Sequence, residues 1–138
     1  MEDEETHWLV SELNLRKRFK MAWAKNDEEA CAFVRQHGPE LHAVLMDVQL
    51  KGSRLDGIAL TRVLRGRGLA PVPDYAEGLP VLECPIFIVT AFARYPAQVI
   101  DEAGADAQIA KPVDFFKLAM LLAQSAGRRA LHRLSRPR

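Results

Sequence analysis

The stretch that decides the fold is HAVLMDVQLKG at residues 42–52, where a short apolar run ends on an acid. Residues 43–46 are all apolar, which is typical of a strand buried on both faces of a parallel sheet. Asp47 follows directly. A carboxylate at the edge of a buried strand is costly to desolvate unless it is paired, bound to a metal or placed at the strand's exposed end. Asp47 therefore calls for a partner elsewhere in the chain.

Length and composition favour one ordinary globular domain. The chain has 138 residues, of which 49% are hydrophobic and 27% charged, values that argue against disorder. The net charge of +1 conceals an asymmetry, because residues 128–138 hold five arginines and no acid, and the remainder carries 14 basic and 18 acidic residues. The mildly acidic body gives no electrostatic reason to expect nucleic-acid binding.

The cysteines and the apolar runs point to the cytoplasm. Two cysteines, Cys31 and Cys84, make no disulfide framework, and each is interpreted as a small buried apolar residue. No apolar run reaches the roughly 18 residues of a membrane span. The acidic start is unlike a signal peptide. We expect a cytoplasmic protein without membrane contact.

Strands and helices alternate along the chain. Apolar runs and period-two alternation predict strands over 19–24, 42–47, 86–92 and 107–112. Amphipathic patterns and capping residues predict helices over 5–18, 26–38, 56–68, 95–104 and 114–127. Four prolines within 69–85 predict a loop. This order indicates βαβ units and a parallel sheet.

Three polar residues stand at the carboxyl ends of predicted strands: Asp47, Thr90 and Lys111. Each is a weak signal alone, since a strand-ending acid is often a turn residue and a lysine before proline is usually solvated. In open parallel sheets, however, these ends form the ligand site, so the three should converge. A carboxylate that accepts a phosphoryl group needs a cation, a hydroxyl and an ammonium around it. The acids at residues 2–5 could supply the cation's other ligands.

Four motifs in order resemble the receiver (CheY-like) domain of two-component response regulators. They are EDEE (2–5), VLMDVQLKGSRLDG (44–57), PIFIVTA (85–91) and GADAQIAKPVD (104–114). The resemblance covers about residues 1–126 and leaves 127–138 as a basic tail or linker remnant. It implies a flavodoxin-like, doubly wound parallel sheet with strand order 2-1-3-4-5.

The resemblance also implies roles. Asp47 would be the phosphoacceptor, taking a phosphoryl group from a histidine kinase or phosphotransfer protein. Thr90 and Lys111 would hold the phosphoryl oxygens, and the bond from Lys111 to Pro112 would be cis. Gly57 would let the chain turn into the following helix. Such a protein is not a conventional enzyme, although it assists its own phosphorylation and dephosphorylation.

The implied cofactor is Mg²⁺. Asp3 and Asp47 would bind it directly, Glu2 through water, and Gln49 through its backbone carbonyl. Mg²⁺ prefers octahedral oxygen ligation and keeps several waters, which this sparse set of ligands permits.

The chain start departs from the family pattern. An apolar strand normally precedes the acidic pair and lies in the middle of the sheet, but here Met1 stands immediately before Glu2. We therefore expect the first strand to be missing from this chain. A late start codon, a trimmed chain, or another segment in that slot, from a second copy for example, would each account for it.

Two further departures concern Gln108 and the segment 69–85. Gln108 stands where the family has an aromatic whose rotation reports phosphorylation, so that coupling should be absent or rerouted, with Phe92 as one substitute. The segment 69–85 makes the Asp47 to Thr90 spacing longer than usual, and we place it at the pole opposite the phosphorylation site. It is either a tolerated surface insertion or a docking surface bearing Tyr75 and Leu79.

The helix over 114–127 carries more apolar surface than its own core needs. One stripe is sufficient, yet a second stripe lies beside it at Phe116, Met120 and Ala123. We expect the face formed by 95–104, 107–112 and this helix to bind a second copy or a downstream protein, unless the tail partly covers it. Three interpretations of the tail are open: an extension of the helix, a linker fragment from a larger protein, or a contact for acidic partners.

Two other functions compete with a phosphorylated receiver. A pseudo-receiver would keep the fold and act as a phosphorylation-independent interaction module; the missing strand and Gln108 favour it. A flavodoxin-like cofactor binder would need a phosphate-cradling glycine loop, which the sequence lacks.

Overall fold

The structure, a computed structural model, describes residues 20–67, 71–91 and 95–135, with side chains as far as residue 125. Glu2, Asp3, Phe92 and the helix predicted over 5–18 lie outside these residues. The described helices and strands are, in chain order, α1 (Asp27–His37), β1 (Val44–Asp47), α2 (Gly57–Leu64), β2 (Ile86–Thr90), α3 (Ala97–Ala103), β3 (Ala107–Ala110) and α4 (Phe115–Ser135). Two 3-10 turns, Gly38–Glu40 and Asp74–Ala76, lie in the connections.

The described strands form one parallel sheet in the order β1-β2-β3. Asp47 pairs with Val89, and Thr90 pairs with Ala110, so the carboxyl ends of the strands lie side by side. The prediction of a parallel sheet is confirmed. Its three strands match the last three of the predicted order 2-1-3-4-5.

The two faces of the sheet carry separate hydrophobic clusters. On one face Met46, Ile86 and Ile88 pack among buried residues of α1, α2 and α3. On the other face Phe87 packs against Leu118 of α4, with exposed fractions of only 1% each. Burying a side chain of this size contributes about 1.5–3 kcal/mol. Successive side chains of β2 therefore point to opposite faces of the sheet and pack against helices on both.

Helices α1 and α2 both begin at side-chain caps, of which the sequence predicts the first. The Asn26 side chain accepts the N–H of Glu29 at 2.9 Å, and the Asp56 side chain accepts the N–H of Ala59 at 2.8 Å. Such a cap satisfies one of the N–H groups that a helix start leaves without a partner. The second cap fixes where the chain re-enters a helix after Asp47.

Three predictions, one strand and two helix ends, differ from the structure by more than two residues. Residues 20–24 form no strand, although exposure alternates from Lys20 to Ala24; alternation reports an extended backbone, but a strand also needs a hydrogen-bonded neighbour. Helix α2 ends at Leu64 rather than 68, because Leu64's carbonyl accepts the N–H of Leu82 and Gly66 turns left-handed at φ 71°. Helix α4 continues through Gly127 to Ser135, since one glycine costs a helix only about 1 kcal/mol. Of the alternatives for the tail, the structure shows a helical extension.

Candidate functional site

Asp47 ends β1 at the mouth of the sheet. Its side chain is 9% exposed, and the Lys111 ammonium lies 2.7 Å from its Oδ2. Its Oδ1 accepts the backbone N–H of Gln49 at 3.1 Å. These two contacts supply the charge partner and the hydrogen bond that a buried carboxylate requires.

Thr90 and Lys111 lie beside Asp47 because their strands are neighbours in one register. Thr90 is the last residue of β2 and is buried, and its carbonyl accepts the Lys111 N–H at 2.8 Å. The bond between Lys111 and Pro112 is cis, as predicted. The structure thus places Asp47, Thr90 and Lys111 at one edge of the sheet, with the carboxylate and the ammonium in contact, although their roles stay a prediction.

Position 57 must be glycine because the backbone of β1 leaves no room for a Cβ atom there, and not because the chain turns. A Cβ atom on Gly57 would lie 2.1 Å from the backbone oxygen of Asp47 and 2.8 Å from the Cα of Val48. Its N–H donates to the Val48 carbonyl at 2.8 Å. The first turn of α2 is therefore in direct backbone contact with the end of β1, which fixes the distance between Asp47 and the helix. The expectation that Gly57 serves a turn into the helix gives way to this closer constraint.

The donor set of this site suits a hard cation such as Mg²⁺. Asp47 offers a carboxylate, and Gln49, exposed just beyond the strand, offers a backbone carbonyl; both are oxygen ligands. Within the described residues no cluster of three or more acids, histidines or cysteines could hold a metal. The remaining predicted ligands, Glu2 and Asp3, lie outside the described residues.

Gln108 is tied to the backbone that follows β2. Its side-chain oxygen accepts the Tyr95 N–H at 3.0 Å, and its side-chain nitrogen donates to the Tyr95 carbonyl at 2.8 Å. Both backbone groups of one residue are thereby held by one amide. Gln108 therefore has a structural task at the position where the family has its rotating aromatic.

The Pro-rich segment reaches the same end of the sheet as Asp47. The Tyr75 hydroxyl donates to the carboxylate of Asp27, which also accepts the backbone N–H groups of Arg54 and Leu55 from the connection that follows β1. The prediction that this segment belongs at the opposite pole is therefore wrong at Tyr75. Like Leu79, Tyr75 is partly buried against the main core, and the docking surface that would bear these two residues stays a prediction.

Hydrogen bonding decides the protonation states of this pair. Burial opposes ionisation of Asp27, but hydrogen bonds from Tyr75 and from the backbone N–H groups of Leu55, Glu28 and Arg54 outweigh it and hold the pKa of Asp27 below its ordinary value. Burial, the hydrogen bond to Asp27 and the negative charge of Asp27 raise the pKa of Tyr75 to about 12. The pair is thus a carboxylate and a neutral phenol near neutral pH. Sequence reasoning missed Asp27, which looked like a helix-start acid.

The two apolar stripes of α4 face opposite environments. Leu118 is buried against the sheet, whereas Phe116 and Met120 are 75% and 48% exposed. Ala123 is also exposed. The predicted second stripe is therefore at the surface of the part of the chain that the structure describes.

The sequence itself matches no model of a known protein family and no curated protein. The fold, in contrast, matches solved structures along nearly the whole chain. A CheY-like response regulator receiver domain protein from Methanospirillum hungatei superimposes with a TM-score of 0.74 at 19% identity, covering 95% of this chain and 93% of that one. A protein described as a response regulator from Chloroflexus aurantiacus is 28% identical, with a TM-score of 0.65 and coverage of 90% and 91%.

A third match is the receiver domain of a sensor histidine kinase from Pseudomonas aeruginosa, which has a magnesium ion coordinated in its active-site cleft. Its TM-score is 0.68 at 24% identity, and it covers 92% of this chain and 93% of that one. The chain therefore has the flavodoxin-like α/β fold of response-regulator receiver (CheY-like) domains, as the resemblance implied. Among the described residues, no helix combines the length and apolarity needed to cross a membrane.

Proposed function

We propose that this protein is a phosphorylation-controlled receiver of a two-component signalling system, with Asp47 as its phosphoacceptor. The observation that carries the proposal is the ion pair of buried Asp47 with half-buried Lys111, beside buried Thr90, at the carboxyl edge of a parallel sheet with the receiver fold. In open α/β sheets this edge is where ligands bind. We expect the protein to act in the cytoplasm.

The proposed donor is a phosphohistidine on a histidine kinase or phosphotransfer protein. A carboxylate oxygen of Asp47 attacks the phosphorus; the bond from phosphorus to the histidine nitrogen breaks, and the histidine keeps that electron pair. Thr90 donates a hydrogen bond to a phosphoryl oxygen. The Lys111 side chain moves so that its ammonium contacts the phosphoryl group instead of Asp47. The chain is thus a reactant that assists its own phosphorylation and dephosphorylation, and we do not class it as an enzyme.

Asp47, the Gln49 carbonyl, Asp3 and, through water, Glu2 would hold Mg²⁺. When bound, Mg²⁺ offsets the negative charge of the transferring group. What the described residues do is hold Asp47 at the strand end, with its carboxylate 2.7 Å from the Lys111 ammonium.

A direct test is to incubate the protein with Mg²⁺ and a small phosphodonor such as acetyl phosphate, and to measure its intact mass. Wild type should gain one phosphate, and Asp47→Ala should gain none. Omission of Mg²⁺ should also prevent the gain in wild type. A wild type that stays unmodified contradicts the proposal, as does an Asp47→Ala variant that is still modified.

The second candidate is a pseudo-receiver that binds partners without a phosphoryl cycle. The observation in its favour is Gln108, whose amide is held by two hydrogen bonds to Tyr95 instead of being an aromatic able to rotate. The same mass measurement separates the two candidates, because only the first gains phosphate.

We further propose that a second copy of the chain binds the face of α3, β3 and α4 that displays Phe116 and Met120. Sedimentation of the phosphorylated and unmodified samples should then show a dimer that Phe116→Ser removes. A wild type that stays monomeric in both samples contradicts this proposal.

A further inference from the structure

Asp27 is a buried acid that the proposed phosphoryl transfer does not use. It is 2% exposed, and its carboxylate accepts four hydrogen bonds. The donors are the backbone N–H groups of Glu28 at 2.9 Å and of Arg54 and Leu55 at 3.1 Å each, together with the Tyr75 hydroxyl. A carboxylate has about four lone-pair sites. Asp27 thus accepts as many hydrogen bonds as a carboxylate has lone-pair sites, three of them at Oδ2, and its contacts hold three separate parts of the chain together.

The part that Asp27 holds is the connection between β1 and α2. This connection leaves the sheet at Asp47, carries Gln49, and returns at Gly57. In its middle, Ser53 Oγ accepts the Asp27 N–H at 2.9 Å, and the next two residues donate to the Asp27 carboxylate. The connection is consequently fixed at both ends by the sheet and helix, and at its centre by Asp27.

Tyr75 lies in the Pro-rich segment, and Arg35 of α1 holds the backbone of that segment in place. Nη2 of Arg35 donates to the carbonyls of Tyr75 at 3.1 Å and of Glu77 at 2.9 Å, and Ala76 between them is buried. The segment is therefore fastened along α1, and the hydroxyl reaches Asp27 from a backbone that is already ordered. A preorganised donor of this kind costs little entropy when the site is used.

We propose that Tyr75, acting through Asp27, is a positioning residue for the connection from Asp47 to Gly57, and therefore for the Mg²⁺ and phosphoryl site. This inference rests on the proposed function of Asp47. The Pro-rich segment then contributes to the site through Tyr75. The Tyr75 hydroxyl orients the Asp27 carboxylate, and this carboxylate accepts the N–H groups of Arg54 and Leu55. These two bonds set the path of the connection that presents the Gln49 carbonyl. Outer-shell hydrogen bonds tune metal sites in this way.

The test compares wild type with Tyr75→Phe, which removes one oxygen atom and keeps the ring. Phosphorylation by acetyl phosphate is followed against Mg²⁺ concentration, well below the unfolding temperature. The half-saturating Mg²⁺ concentration should rise about tenfold, the lower end of what loss of an outer-shell partner costs a metal site. The rate at saturating Mg²⁺ should stay within about twofold of wild type, because the reacting groups are unchanged.

A second readout needs neither metal nor phosphate. Amide hydrogen exchange of Arg54 and Leu55 in the metal-free protein should be faster in Tyr75→Phe, whereas exchange of Ile86, whose N–H donates to Asp106, should be unchanged. Glu77→Gln is the matched control, since it lies in the same segment, is exposed, and keeps the backbone carbonyl that Arg35 contacts. It should leave both readouts as in wild type.

The outcomes are distinguishable. If wild type gains no Mg²⁺-dependent phosphate, the proposed function fails and this inference fails with it. If wild type is phosphorylated and Tyr75→Phe has the same half-saturating Mg²⁺ concentration, only the inference is overturned, even where the variant melts at a lower temperature. A rise in that concentration together with faster exchange at Arg54 and Leu55 supports it.

Discussion

The surroundings of Asp27 and of Asp47 differ in the kind of donor, although both carboxylates are buried at the same end of the fold. Asp27 accepts three backbone N–H groups and one phenol hydroxyl. Among the described residues, Asp47 accepts one backbone N–H group and the ammonium of Lys111. All four donors to Asp27 are neutral, and three of them belong to the backbone. Asp47 instead faces a cation on the flexible side chain of Lys111.

The comparison shows that burial alone does not identify a reactive acid. Backbone donors cannot leave without unfolding part of the chain, so Asp27 is fixed and its lone pairs are occupied. A lysine side chain can exchange one anionic oxygen for another through its rotatable bonds. Asp47 is therefore the carboxylate that can gain a new covalent partner and still keep its neighbour satisfied.

The largest expected effect separates stability from chemistry. Asp27→Ala leaves three part-buried backbone N–H groups and the Tyr75 hydroxyl without their acceptor, and should lower the free energy of unfolding by about 3 kcal/mol. Asp47→Ala should lower it by about 1–2 kcal/mol while abolishing phosphate gain. Urea denaturation of the three proteins measures both values. An Asp47→Ala variant that is the less stable of the two would reverse the comparison.

The next effect concerns the fixed backbone on the Asp47 side. Gly57→Ala places a methyl group against the Asp47 carbonyl, where the contact is to backbone and cannot rotate away, and should cost about 2 kcal/mol as overpacking. Gly52→Ala is the control, because its site is open but its φ is +74°; it should cost about 1 kcal/mol through backbone strain. Equal stability of Gly57→Ala and wild type in urea would contradict the close approach.

The smallest expected effect is confined to alkaline pH. The pKa of Tyr75 is raised from an ordinary value of 10 to about 12 in the folded protein. Between those pH values the unfolded chain loses the phenol proton and the folded chain keeps it, so the stability that Tyr75 contributes is complete below pH 10 and declines as pH rises toward 12. Thermal unfolding across this range should show a decline in wild type that is smaller in Tyr75→Phe. An equal decline in both proteins would show that ionisation of Tyr75 does not cause the loss of stability.

The sequence was sufficient for the sheet and for the residues at its mouth. Apolar runs predicted strands where β1, β2 and β3 lie, and because their carboxyl ends must share one edge, Asp47, Thr90 and Lys111 could be placed together before any contact was known. Cys31 and Cys84 are buried, as predicted. These inferences depend on periodicity and on the geometry of parallel sheets, both of which are local or general.

Contacts between distant residues could not be predicted in the same way. Nothing in the segment around Tyr75 indicates that its hydroxyl meets Asp27, which lies 48 residues earlier in the chain. The prolines correctly predicted a loop, but a loop's path depends on what it packs against. The alternation over 19–24 failed for a related reason, because it carries no information about a neighbouring strand.

The two hydrogen bonds between the Gln108 amide and the backbone of Tyr95 constrain positions 95 and 108 differently. Both hydrogen bonds of the amide go to the backbone of residue 95, so they do not depend on which side chain stands there, except that proline has no N–H to donate. Position 108 is constrained by its side chain, because the donor and the acceptor must both lie on one amide group that reaches as far as that of glutamine. Because the Tyr95 side chain also packs partly buried against the main core, a random library selected for folding should keep apolar or aromatic residues of several kinds at 95 but only glutamine at 108.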